Sequence, residues 1–420
     1  MSAPAALARR LGLVDAIAIG LGSMIGAGVF AAFAPAAAAA GSGLLIGLAI
    51  AAVVAYANAT SSAQLAAQFP TSGGTYVYGR EMIGPWSGFF AGWSFVIGKT
   101  ASCAAMALTF ASYAAPAGWE KPIAVAAVLV LAAVNTVGVT RTAALTKAIV
   151  VVVLAVLALV VVAASASGAG SADNLVIDPG PHGWYGVLQS AGLLFFAFAG
   201  YARIATMGEE VRDPRRTIPR AIVIALSLAL IVYVAIALAA LATLGPDRLA
   251  SSSAPLAEVA AAGGWTWTAP VVRVGAAAAS LGALLALVAG IGRTSLAMAR
   301  TGDLPRWLAA VHPRYAVPHR AELVLAVIVS LLIVTTDLRS AIGFSSFGVL
   351  LYYLVANIAA FRQDAAARRF PRALQIVGMI GCVALVAALP WPSIIGGIVV
   401  AGVGVGYRAL RLRRGGSASV

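Results

Sequence analysis

Ile19-Gly20-Leu21-Gly22-Ser23-Met24-Ile25-Gly26-Ala27-Gly28-Val29-Phe30 lies within the first apolar segment, Val14 to Pro35, and its reading decides the fold. The segment has the roughly 20 residues that a helix needs to cross a bilayer, yet glycines and a serine crowd its centre. Each such glycine costs a helix roughly 0.5 to 1 kcal/mol relative to alanine. Backbone released from helical hydrogen bonding finds no water in hydrocarbon, so it has to line a cavity or meet a ligand. A broken helix follows, its second half starting near Gly26 with unpaired N–H groups and a positive dipole end turned towards something anionic. Gly22 and Gly26 also make a Gly-x-x-x-Gly spacing, which brings two unbroken helices into close contact. The segment alone leaves both readings open. A dinucleotide fingerprint does not fit, because Gly26 falls one residue late after Gly20 and Gly22 and no βαβ pattern surrounds them.

The wider chain is 61% hydrophobic and 10% charged over 420 residues, the composition of an all-α polytopic membrane protein and not of a soluble fold. Its net charge of +14 falls almost wholly in alternate loops, the pattern of cytoplasmic loop charge. No basic face with interleaved aromatics points to nucleic acid. Cys103 and Cys382 both lie in apolar spans and suggest neither a disulfide framework nor a metal site. No cleavage site precedes Val14, so the first span is expected to be retained.

Twelve apolar spans follow one another: 14–35, 44–67, 86–113, 122–139, 143–164, 185–207, 218–244, 271–299, 323–335, 342–361, 374–389 and 394–407. Arg80, Arg141, Arg212 to Arg220, Arg300 to Arg320 and Arg362 to Arg372 share a face with both termini, which the positive-inside rule makes cytoplasmic. Trp265 and Trp267 mark an interfacial helix on the other side. The stretch 300–320 is too polar to span, and the tail from Arg408 reads as basic and disordered. Span six carries Ala199-Gly200-Tyr201-Ala202-Arg203 at mid-depth and is a second candidate for a break. Spans one and six head two five-helix sets, 14–166 and 184–362, of opposite orientation, as an inverted repeat requires. Residues 370–407 add two further spans between the cytoplasmic segments 1–13 and 408–420. Interrupted segments at matching places in two halves point to a transporter's midplane site.

Charges inside spans sharpen this. A charge at mid-membrane costs about 2.5 to 3.5 kcal/mol, so Lys99 in span three needs a carbonyl partner, a wet cavity or a function. Arg203 either serves the site or pairs with Glu209 or Glu210, one to two turns away. Lys147, at the start of span five, is one more loop cation or an inward-facing amine whose burial would let it load and release a proton. Lys147, Lys99, Arg203 and Glu210 are the coupling or gating candidates.

Four stretches carry a family resemblance. Gly22-Ser23-Met24-Ile25-Gly26-Ala27-Gly28-Val29-Phe30 resembles the G-S-x-I-G-x-G-[IV]-F signature of the amino acid–polyamine–organocation permeases. The stretch from Gln64 to Tyr78 resembles their P-x-x-G-G-x-Y-x-Y segment after span two. Phe195 to Ile222, ending in Glu209 to Ile222, resembles their E-E-V-x-x-P-x-R-x-I-P-x-A-I, and Arg300 to Pro318 resembles the A-R-x-G-x-L-P loop after span eight. The resemblance implies a five-plus-five inverted-repeat fold with spans one and six broken, no cofactor, and proton-coupled amino acid import across the plasma membrane by alternating access. It places the substrate carboxylate at the N–H groups of Gly26, Ala27 and Gly28, flanked by Ser23 and Ile25. The α-ammonium meets carbonyls near Ile19, Phe196 and Ala199, with Phe196 and Tyr201 as gates or pocket walls, and Lys147 aligns with a lysine that proton-coupled relatives use in place of sodium. Three positions depart from the pattern. Ala27 stands where many relatives have a hydroxyl, Ala202 where an acid is frequent, and Gln64 for a glutamate. With Arg203 next to the missing acid, cationic substrates are disfavoured over neutral or acidic ones.

An amino acid exchanger is the alternative within transport. An enzyme would show paired intramembrane carboxylates, a Ser/His pair or a metal cluster, but His182, His312 and His319 all fall in loops. A nutrient sensor would carry a soluble output domain, for which the spans leave no room.

Overall fold

A computed structural model describes residues 11–416, apart from residues 72, 138–142, 167, 181, 263 and 316. Arg9, Arg10, Arg141 and the last four residues of the chain lie outside the described residues. Nine helices among those described are long and apolar enough to cross a membrane. Three more, Glu120–Thr136, His319–Thr335 and Arg372–Ala388, have 17 residues each and complete the twelve spans. Their side chains explain the assembly. Val151, Ile231, Val274, Leu331, Ile380 and Val403 are exposed, giving the bundle an outer apolar coat that only hydrocarbon solvates well.

Span one is interrupted, the first of the two readings its glycines left open. It runs as Leu13–Met24, leaves helical geometry over residues 25–27, resumes as Gly28–Ala31 and, past a bend at Ala32, continues as Phe33–Ala40. The span is longer than the apolar window suggested, because Pro35 falls in the first turn of the last piece, where its missing N–H costs nothing. Span six behaves differently. Gly183–Phe198 tightens into a 3-10 turn over Ala199–Tyr201 and proceeds as Ala202–Ala205, so it is pinched and not unwound. Both features lie at the contact between the two spans.

Span seven, Pro214–Ser251, is kinked where the apolar window ended at Leu244. Gly245 there has φ +72°, a conformation open to glycine at little cost, and Pro246 restarts the helix. The chain then forms Pro255–Ala262, followed by Trp265 and Trp267 stacked 6.3 Å apart. The interfacial helix therefore precedes its tryptophans instead of containing them.

The C-terminal region corrects the sequence reading. Span twelve, Trp391–Gly416, continues well past Arg408, where a disordered tail was expected. Arg408 is buried, pairs with Asp303 of the polar loop after span eight, and lies 5.0 Å and 4.8 Å over the Trp86 and Phe89 rings of span three. Asp303 also accepts from Tyr76 Oη at 2.8 Å and from Arg80 at 3.2 Å. A carboxylate with three donors holds what composition alone reads as a free basic tail.

Candidate functional site

The break in span one leaves a short run of peptide groups without helical partners. Ile25 N–H closes the last turn onto Leu21 O, and helical bonding restarts with Phe30 and Ala31 N–H on Ala27 O. Among the described residues, the N–H groups of Gly26, Ala27 and Gly28 between them take no backbone partner. All three residues are buried. Gly26 packs on span eight (Thr268–Arg300), where a Cβ would come 2.7 Å from Ala283 Cβ. The close-packing role of this glycine and the break thus coexist: small residues let span eight approach the opened backbone. A cavity of about 10 Å³ beside it, lined by Gly22, Ile25, Gly26, Val150 and Ala279, has room for about one water molecule.

The carbonyl side is already occupied from within. Ser23 Oγ donates to Ile19 O at 2.8 Å, and Ala199 N–H closes onto Phe196 O. Ala199 O accepts from Lys99 Nζ at 3.2 Å and Tyr353 Oη at 3.3 Å. Of the three carbonyls expected to receive an ammonium, each has a protein donor. Lys99 thereby finds the carbonyl partner its depth demands. Tyr201 is fully buried, stacked on Tyr353 at 4.9 Å, and belongs to the core in this conformation rather than to a pocket wall. Phe196 belongs to the same buried apolar cluster as Ala27 and Ala31.

Sequence reasoning passed over Tyr233 of span seven. Its hydroxyl lies 2.7 Å from Met24 O and 2.9 Å from Ala197 O, stapling the ends of both interrupted spans. Val-Tyr-Val in an apolar run carries no signal for this; only the freed carbonyls, 209 and 36 residues away, define it. Tyr233→Phe leaves those carbonyls short of a donor, and its thermal unfolding midpoint is expected to fall by a stability of about 1 to 3 kcal/mol. An unchanged midpoint would show that the staple is dispensable.

The remaining candidates sit towards the arginine-rich end. Lys147 does not reach the break: it pairs with Asp15 in the first turn of span one at 2.9 Å and is half-exposed. Arg203 makes no ion pair with Glu210 among the described residues, although the two act on each other through space. Glu210 contributes its backbone instead, since its carbonyl accepts Leu11 N–H while Arg212 N–H donates to Leu11 O. This parallel bridge ties the start of span one to the segment after span six. Gln64, read as a departure from a frequent glutamate, caps a turn: its Oε1 accepts the N–H groups of Arg369 and Phe370. Arg293 and Glu322, not singled out from sequence, act on each other across spans eight and nine.

Comparison with known proteins agrees with this architecture. A statistical model of a family described as amino acid permease matches residues 11–405. An uncharacterized transporter of Mycobacterium tuberculosis is 60% identical over 414 residues, covering 98% of this chain and 94% of the relative. A chloroplastic cationic amino acid transporter of Arabidopsis thaliana is 28% identical over 383 residues, 84% of this chain and 65% of the relative. A branched-chain amino acid permease of Bacillus subtilis is 24% identical over 428 residues, 93% and 90% of the two chains. With a match along nearly its whole length, this chain belongs to the amino acid permease family, and its relatives and its apolar helices mark it as a multi-pass membrane transporter.

Proposed function

We propose that the protein is a secondary active transporter that imports amino acids across the plasma membrane by alternating access, driven by a proton gradient. The observation that carries this reading is the pairing of unpartnered N–H groups at Gly26, Ala27 and Gly28 with the carbonyl-bearing turn Phe196–Ala199. A carboxylate suits the first and an ammonium the second, as the two ends of a zwitterion require. Ser23, Ile25, Ile19 and Phe196 complete the site, and Tyr201 joins it if the core opens. The halves 14–166 and 184–362 act as the inverted repeats, with both termini and the arginine-rich end cytoplasmic. Neutral amino acids fit best, since Lys99 and Arg203 are the charges near the turn and would repel a cationic side chain. Amino acid exchange is a second reading, favoured by the exposed position of Lys147 in an ion pair with Asp15, away from the break.

Uptake into proteoliposomes, with and without an imposed pH gradient and with and without internal amino acid, separates the two. Import is expected to follow the gradient, and Lys147→Ala is expected to remove the gradient-driven part while leaving exchange. Full pH-driven uptake by Lys147→Ala would release this lysine from coupling, and uptake only against internal amino acid would establish the exchanger.

A further inference from the structure

We propose that Lys99 is a tethered cation that competes with the substrate's ammonium for the Ala199 carbonyl, and so sets the affinity for amino acids and its pH dependence. The inference rests on the transport reading above and assigns a residue role within it.

Lys99 is 8% exposed and reaches from span three into the turn of span six, across 100 residues of sequence. No carboxylate pairs with it among the described residues. Its hydrogen-bonding partner is the carbonyl at which the helix Gly183–Phe198 ends, and a helix C-terminus favours a cation. The ammonium therefore occupies the type of position that an amino acid's own ammonium would take. Tyr353 Oη fills the carbonyl's other side, leaving no free acceptor capacity there for a third donor. Of the two, the phenol is held by stacking on Tyr201 and by an edge contact with Phe195. The lysine is a point charge on a flexible stem, so it is the group that yields. Two ammonium groups cannot share one carbonyl without strong repulsion.

The titratable groups around Lys99 are few. Cys103 lies one turn on along the same span. Tyr352 and Tyr353 come from span ten, Tyr352 against Phe95, and Tyr201 comes from span six. Asp303 and Glu322, carboxylates on the loop and span packed against span three, lie at its arginine-rich end, with Arg80 and Arg408 at Asp303 and Arg293 near Glu322. No opposite charge therefore anchors the ammonium, and only its charged form competes strongly for the carbonyl. Below the lysine's pKa in the protein the competitor is present and amino acid binding is weak; as pH rises through that pKa the competitor is lost and binding strengthens. This sign opposes co-transport of a proton on Lys99, so a co-transported proton would have to ride elsewhere.

The test measures equilibrium binding of leucine, and of 4-methylpentanoate, which lacks the amino group, to the purified full chain in nanodiscs from pH 5.5 to 9. Should leucine not bind, another neutral amino acid that the protein takes up into proteoliposomes and its deaminated acid take their place. Wild-type affinity for the amino acid is expected to rise with pH, in total by no more than the roughly tenfold that separates it from Lys99→Met at the acid end. Lys99→Met is expected to bind it about tenfold more tightly than wild type at the acid end and with a flat profile. Lys99→Arg, whose charge persists throughout, is expected to bind weakly with an equally flat profile. Affinity for the deaminated acid is expected to be the same in wild type and Lys99→Met, which also shows that the variant is folded. Weaker amino acid binding by Lys99→Met, or an unchanged pH slope, overturns the proposal. If wild type binds no amino acid at all, the transport reading itself fails and this inference with it.

Discussion

Gly200→Ala is expected to abolish uptake. A Cβ at this position would lie 2.3 Å from the carbonyl carbon and oxygen of Ser23 and 2.5 Å from Met24 N. These are backbone atoms at the very end of the first helical piece, so no side chain can swing aside. Relief requires spans one and six to part where they cross, which also strains the Tyr233 contacts to Met24 O and Ala197 O. Forcing a methyl into a packed core costs about 1 to 3 kcal/mol, and more where the backbone cannot shift. Gly290→Ala is the matched control, since a Cβ there meets nothing within 4 Å and the residue lies inside span eight; it is expected to be neutral or to stabilise by roughly 0.5 to 1 kcal/mol. The pair is compared by proteoliposome uptake and thermal unfolding. Wild-type uptake by Gly200→Ala would mean that the two interrupted spans are not coupled through this contact.

Asp303→Ala is expected to produce the largest loss of stability. The carboxylate is buried and serves Arg408, Arg80 and Tyr76 together. Its removal leaves the Arg408 guanidinium, itself buried, with only the faces of Trp86 and Phe89. Breaking a buried pair from one side costs about 3 to 5 kcal/mol, because a charge remains without compensation. Arg80 is partly exposed and can turn to solvent, so the burden falls on Arg408. The double variant Asp303→Ala, Arg408→Leu is expected to recover part of the loss, since no lone charge is left and the leucine still covers the two rings. Thermal unfolding of the two single variants and the double closes the cycle. Additive losses would show that Asp303 and Arg408 do not act as a pair.

Much of the architecture was legible before any coordinates. Hydropathy located the spans, because residues facing lipid and residues facing other helices are both apolar and the polar connections stand out between them. Glycine crowding marked where span one could break, because helical cost and close packing are local properties of Gly22, Gly26 and Gly28, and the matching stretch in span six favoured the break. Ends were less secure. Pro35 sat inside its helical piece and span twelve ran through Arg408 to Gly416, since a basic residue ends an apolar window without ending a helix. Span six shows a different limit, for Ala199-Gly200-Tyr201 can unwind or merely tighten, and the structure has it tighten.

The sequence by itself determined that this chain is a bundle of twelve apolar helices with a weakened first span, and that Lys99 and Arg203 carry charge at depths where charge needs a partner. Only the tertiary structure decided who the partners are. Lys99 meets Ala199 O, Tyr233 meets Met24 O and Ala197 O, Arg408 meets Asp303, and Lys147 turns to Asp15 instead of the break. The reason is physical. Apolar burial depends on composition along the chain, which is local, whereas a buried polar group is satisfied by one particular atom brought close by packing, and nothing in the linear order names that atom.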